Sequence, residues 1–207
     1  MSDPDISDPD ISDRDTIDTL AGLAPGSPLA LIRDRKPVTR QHAQASCRAL
    51  FEPTDTTNVT FQERFAMATF VAGLHAQDEI AAFYAAGLAR TEPSDALIAA
   101  LSAEITSGRT IGPYGAYPKG PLTVEDVPGP IYHVTHRSAL GERLTAALEH
   151  VHLLVFHPRD ASPAALRALL DAGWSNTGIV TLSQLVAFLA FQIRAVVGLK
   201  TLAGSVP

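Results

Sequence analysis

The chain of 207 residues has a single cysteine, Cys47. One thiol excludes an intramolecular disulfide and any CxxC redox pair, and it fits a reducing cytoplasm, which is the expected location. The chain also has no excess of positive charge. Residues 1–18 hold seven aspartates and one arginine, which accounts for the whole net charge of −6 and leaves the rest neutral. A neutral body with an acidic end has no electrostatic footprint for nucleic acid or an anionic membrane, so neither is expected as a partner. There is no long unbroken apolar run either: the most apolar stretch, Ile179 to Val197, is interrupted by Ser183, Gln184, Gln192 and Arg194. It reads as a buried core helix rather than a membrane span. No basic region followed by an apolar one opens the chain, so no signal peptide is expected. Strand-like alternation is missing throughout, and the expectation is an all-α protein.

Hydrophobic residues make up 46% of the chain and charged residues 18%, the balance of a packed protein rather than a disordered one. Residues 1–15 form an acidic tail whose repeat, SDPDI, SDPDI, SDRDT, runs on to Thr16, and its prolines and spaced like charges disfavour helix. Residues 16–55 read as a helical arm. Its second helix starts at Ser27 as N-cap with Pro28 in the first position, and Pro37 ends it. The body, residues 56–207, opens on Thr60 and Glu63, a T-x-x-E capping box. The helix that follows is apolar over most of its circumference and belongs in the core. Ile80, Phe83, Tyr84, Gly87 and Leu88 make the stripe of the next helix, and Ser94 caps another. Residues 107–136 are dense in glycine and proline and form an insertion loop. Its three tyrosines, with Ile111, Leu122, Val124, Val127 and Ile131, are costly to leave in water, so the loop is expected to be ordered and docked on the helix junction or on a neighbouring subunit. Ser162, Pro163 and Gly173 bound a short helix, and Ser175 or Thr177 caps the long apolar one.

The segment LEHVHLLVFHPRDASPAALRALLDAGWSNTGIVTLSQLVAFLAFQIRAVVGLKTLAG, together with FQERFAMATFVAGLHAQDEIAAFYAAGL, resembles peroxidase-related proteins of the alkylhydroperoxidase D and carboxymuconolactone decarboxylase superfamily. The resemblance covers roughly residues 60–204 apart from the loop. It implies an alkylhydroperoxidase D-like helical bundle assembled as a homo-oligomer. Active members carry a glutamate, a Cys-x-x-Cys at a helix start and a nearby histidine. At the best hydrophobic match those positions hold Phe65, Gln77, Ile80 and Tyr84 here, so thiol peroxidase activity is expected to be absent.

What is left for chemistry is a set of proton-transfer candidates, His75, Glu63 and Tyr84, near the helix junction where the family keeps its reactive groups. His133, His136 and Gln192 are the binding candidates. His133-x-x-His136, with His150, His152 and His157 downstream, lacks a companion carboxylate or cysteine at a metal-ligand spacing, and no metal or cofactor is expected. Cys47 sits mid-helix and reads as structural. Two functions follow: a non-thiol proton-transfer enzyme of decarboxylase or isomerase type acting on a small molecule, or a catalytically silent chain. The alternative partner is an active relative that keeps its cysteines, with this chain as its non-catalytic subunit.

Overall fold

The computed structural model describes residues 15–205, so the acidic tail of residues 1–15 lies outside the described residues except for Asp15. The described chain is all-α: α1 (Thr16–Ala21), α2 (Pro28–Asp34), α3 (Pro37–Phe51), α4 (Phe61–Leu74), α5 (Asp78–Ala89), α6 (Asp95–Gly108), α7 (Arg137–Phe156), α8 (Pro163–Asp171) and α9 (Asn176–Ser205). Among the described residues the only strand-like pairing is an isolated bridge between Gly115 and Val127.

Helix starts follow the capping chemistry of the sequence. Ser27, Ser94 and Ser162 each accept a hydrogen bond from a backbone N–H of the first turn, and Thr60 and Glu63 form the reciprocal capping box of α4. Ser175 caps α9, its hydroxyl accepting from Gly178 N at 3.0 Å. Gly173 at φ +88° turns the chain out of α8. α7 begins earlier than its apolar stripe predicts, at Arg137, with a break at Gly141 (φ +74°) before regular helix resumes.

Every residue of α4 from Arg64 to Leu74 is buried, and α3, α5, α6, α7 and α9 all pack against it. Burying a helix on all sides is favourable only when its whole circumference is apolar or internally paired. The one charge, Arg64, meets that condition by donating to Val59 O at 3.0 Å and Leu50 O at 2.8 Å. Gly87 permits the close crossing of α5, since a Cβ there would sit 2.3 Å from the Phe65 ring. In α9, Leu182, Leu185, Leu189, Gln192 and Val196 form the fully buried seam, spaced alternately three and four apart. By length and composition α9 could also cross a membrane. Its opposite face leaves Val180, Phe191, Val197 and Leu202 exposed.

The arm is continuous with this core. Ile17 and Leu20 of α1 and Cys47, Leu50 and Phe51 of α3 join the same apolar cluster as α4 and α9. Asp15 and Asp18 are bridged by Arg33 of α2 and Arg40 of α3, which ties the three short helices together.

The insertion loop corrects one expectation. Tyr114 and Val134 are buried and Tyr132 packs on the core, but Ile111 is 92% exposed, Val124 88% and Ile131 77%, with Leu122 and Val127 also in water. The loop is anchored by its two ends and by Tyr114, while residues 116–131 lie over the surface. Local hydrophobicity over-estimated its burial because the anchors are hydrogen bonds and ring contacts, not the aliphatic side chains.

Candidate functional site

The junction between α4 and α5 is a tight reversal. His75 is the C-cap of α4, Ala76 takes a left-handed conformation (φ 53°), and Gln77 N closes back on Ala72 O at 3.1 Å. Arg109, at the start of the loop, holds this turn in place by donating to Gly73 O at 2.8 Å and to Asp78 Oδ1 at 3.0 Å.

His75 lies on the wall of a cavity of about 520 Å³ between the junction, the loop at Gly112 and Pro113, the end of α7, and α9. Leu154, Val155, Phe156, Val186 and Ala190 make the wall mainly apolar, with Ser183 and Arg194 as its other polar side chains. The Nε2 of His75 is shielded from water and has no hydrogen-bond partner. Burial, and then the positive charge of Arg194, push the imidazole below its ordinary pKa, so at neutral pH it is an uncharged base. A cavity of this size and polarity is typical of small-molecule sites.

Tyr84 and Gln192 are brought together, but in the core rather than on that wall. The Tyr84 hydroxyl donates to Gln192 Oε1 at 2.5 Å. Gln192 Nε2 points at Cys47 Sγ at 4.0 Å, and the Cys47 thiol lies 3.6 Å from Thr16 Oγ1. All four side chains are buried, so this is a neutral polar chain linking α1, α3, α5 and α9. Phe51 covers it, with its ring 4.9 Å from Tyr84 and 5.3 Å from Phe65. Burial, with Cys47 nearby, drives the Tyr84 phenol well above its ordinary range, and burial pushes the Cys47 thiol up to about 12. Neither group supplies an anion at physiological pH. Gln192 thus makes an interhelical hydrogen bond where the sequence suggested a ligand contact.

Glu63 serves the other end of α4. Its carboxylate accepts from Thr60 N at 2.8 Å and from Arg143 Nε at 2.5 Å. Arg143 also donates to Asn58 O and Gly173 O, and its guanidinium lies 4.2 Å over the Trp174 ring. This clamp fastens α7 to the starts of α4 and α9, and Glu63 is not on the wall of the His75 cavity.

His133 and His136 do not line the His75 cavity. They gather instead around Glu104 and Glu149. Glu104 is fully buried and accepts from Thr135 N and His136 N, each at 2.8 Å, from the Tyr132 and Thr135 hydroxyls, and from His136 Nδ1 at 2.6 Å. Burial alone would raise this carboxyl, but the bonds from Tyr132, Thr135 and His136 outweigh it and hold the group down to about 2. His133 stays exposed, 3.7 Å from Glu149. Beside them His152 is 1% exposed. It stacks on Tyr132 at 4.5 Å and donates from Nε2 to Gly108 O at 3.0 Å. Burial holds it down to about 4. A smaller cavity of about 270 Å³ opens here between His133, His152 and the loop ends.

Glu104 was missed as a key residue, although a signal existed: it falls on the buried stripe of α6 with Leu97, Ala100, Leu101 and Gly108, and a carboxylate on an apolar stripe demands partners. Among the described residues no group of three histidine, cysteine or acidic side chains converges as a metal site. Comparison of the chain with protein-family models, with curated proteins and with solved structures returns no match.

Proposed function

We propose that this chain is an alkylhydroperoxidase D-like member of the carboxymuconolactone decarboxylase superfamily that has no thiol chemistry and retains a small-molecule site at which His75 moves a proton. The observation that carries the reading is the partnerless, uncharged His75 imidazole on the wall of the 520 Å³ cavity. A neutral imidazole in a largely apolar cleft is a competent general base near neutral pH. Proton transfer at the carbon next to a carbonyl is common to both reaction types: an isomerase begins by removing that proton, and a decarboxylase ends by returning one to the enolate left when CO2 departs. Of the three proton-transfer candidates, the reading rests on His75 alone, because Tyr84 and Glu63 are committed to internal hydrogen bonds. The helix–reversal–helix of α4 and α5, and the short α8 followed by Trp174, Ser175 and the long α9, support the superfamily assignment.

The test is isotope exchange. A panel of small carbonyl acids incubated in D2O with the protein is expected to exchange the proton next to the carbonyl, seen by proton NMR. The His75→Phe variant should lose that exchange by about 100-fold or more. Exchange that survives in the variant, or none from any member of the panel, sinks the reading.

A second reading, a silent subunit in a larger assembly, is favoured by one observation. Phe51 and Cys47 fill the space around Tyr84, the position at which the sequence match puts the reactive histidine of the family. The exposed apolar positions of α9 and of the loop support homo-oligomer formation in either case. Light scattering that reports a monomer at micromolar concentration contradicts that assembly.

A further inference from the structure

The His75 cavity carries information about what it accepts, not only about what it does. Arg194 is the one charged side chain on its wall, and no carboxylate lines it. Among the described residues Arg194 has no ion pair. Its guanidinium donates to Ala190 O at 2.8 Å, one helical turn back, and no other hydrogen bond engages it among the described residues. An arginine in this state is a ready partner for a carboxylate or another small anion. From Arg194 the cleft runs between the end of α7 and α9 over Leu154, Val155, Phe156, Val186 and Ala190, a surface that takes an alkyl or aryl chain and offers almost nothing to a second charge. Ser183 adds only a neutral hydroxyl whose proton is already donated to Ile179 O at 2.9 Å.

We infer that the cavity binds an amphipathic monocarboxylate, its carboxylate paired with Arg194, its apolar chain along the α7–α9 cleft, and the carbon next to the carboxylate turned toward His75. The inference rests on the reading of this cavity as a ligand site, and it deepens that reading by naming the ligand class. It does not depend on catalysis. Arg194 anchors the ligand and His75 is left for chemistry, so the two residues have separable roles. One charged head and one long apolar wall disfavour dicarboxylates and amines as ligands, because a second carboxylate would be desolvated without a cationic partner and an ammonium would meet the like charge of Arg194. A phosphate monoester could pair with Arg194 but would bring about two negative charges to a wall with one cation.

Calorimetric titration with octanoate, octanol and octylamine tests this directly. Octanoate is expected to bind at least about tenfold more tightly than octanol, and octylamine more weakly than either. Arg194→Gln is expected to weaken octanoate by about 10- to 100-fold, the loss of a hydrogen bond to a charged group, and to leave octanol unchanged. Arg194 is exposed, so this variant is expected to fold, and a thermal melt checks it. Ala190→Trp, which places an indole on the wall of the cleft, should abolish binding of both. Equal affinities for octanoate and octanol, indifference of octanoate to Arg194→Gln, or no binding of any of the three overturns the inference. The His75→Phe variant separates it from the proton-transfer reading. Octanoate binding retained there, with no isotope exchange in the wild type, rejects the catalysis and keeps the ligand class. Exchange without any preference for the carboxylate does the reverse.

Discussion

Two polar assemblies hold this molecule together, one buried throughout and the other centred on a buried carboxylate with partners at the surface, and they are built on opposite principles. The chain from Tyr84 through Gln192 and Cys47 to Thr16 is neutral throughout and joins helices. The knot at Glu104 is ionised and joins a helix to the end of a loop. A neutral chain costs little to desolvate and carries no pH dependence near physiological conditions. A buried carboxylate is tolerable only because several donors converge on it, and removing it leaves those donors stranded. The contact between the arm and the long helix α9 is therefore made by groups indifferent to acid, whereas the loop end depends on an ionised carboxylate, as do the ion pairs of Asp15 and Asp18 within the arm.

The largest effect should come from breaking the ionised knot. Glu104→Ala removes the common acceptor of Tyr132, Thr135 and His136 and is expected to cost about 3–5 kcal/mol in urea denaturation. It should also make the native loop a substrate for trypsin at Lys119 or Arg109. A variant that keeps wild-type stability would show that the knot is decorative.

Acid should act on the same region next. His152 is held at about 4 in the folded chain against an ordinary value near 6.5. Between those values the unfolded chain binds more protons, so stability falls as pH drops through that window. Replacing His152 with Phe keeps the ring stack with Tyr132 and is expected to flatten the loss between about pH 6.5 and 4 by about 2–3 kcal/mol. Glu104, whose carboxyl is lowered when folded, adds a further loss below about pH 4.5. A wild-type slope unchanged in the His152 variant would assign the acid sensitivity elsewhere.

The neutral chain should yield less. Tyr84→Phe strips Gln192 Oε1 of its donor and is expected to cost about 1–3 kcal/mol at any pH between 5 and 8. The double variant Tyr84→Phe, Gln192→Leu should recover part of that loss, since neither group is then orphaned. Additive losses would mean that the two residues act separately. The smallest expected signal is at Cys47. Its thiol, at about 12 and 1% exposed, should react with a disulfide reagent only as fast as the protein unfolds. Hydroperoxide turnover with a dithiol reductant should be absent from wild type and Cys47→Ser alike, and robust turnover that disappears in the variant would reverse this.

What could be read in advance divides along the same line. Caps, stripes and stops are written within a few residues, and so Thr60 with Glu63, Ser94 and Ser162 placed their helices correctly. His75 was legible as a candidate because the junction it occupies is local too. The knot was not, because Glu104 meets Tyr132, Thr135 and His136 across some thirty residues of irregular chain, and nothing in glycine- and proline-rich sequence fixes where such a segment lands. The same gap explains why Ile111, Val124 and Ile131 were expected inside and are found outside. It also explains why the sequence names His133 and His136 as candidates without showing that they meet Glu149 and Glu104.

Gln192 and Arg194 stand two positions apart on α9, about 200° around its axis, one turned to the helical arm and the other to the cavity. A single rigid cylinder thus sets the angular phase of both. One residue inserted into α9 between Leu182 and Leu189 would rotate everything after it by about 100°, swinging Gln192 away from Tyr84 and Arg194 off the cleft in the same event. Substitutions can retune either side alone, but length changes in this helix cannot. In any lineage that keeps the cavity working, the spacing from the buried leucine seam to Arg194 should be fixed even where the residues between are free to vary.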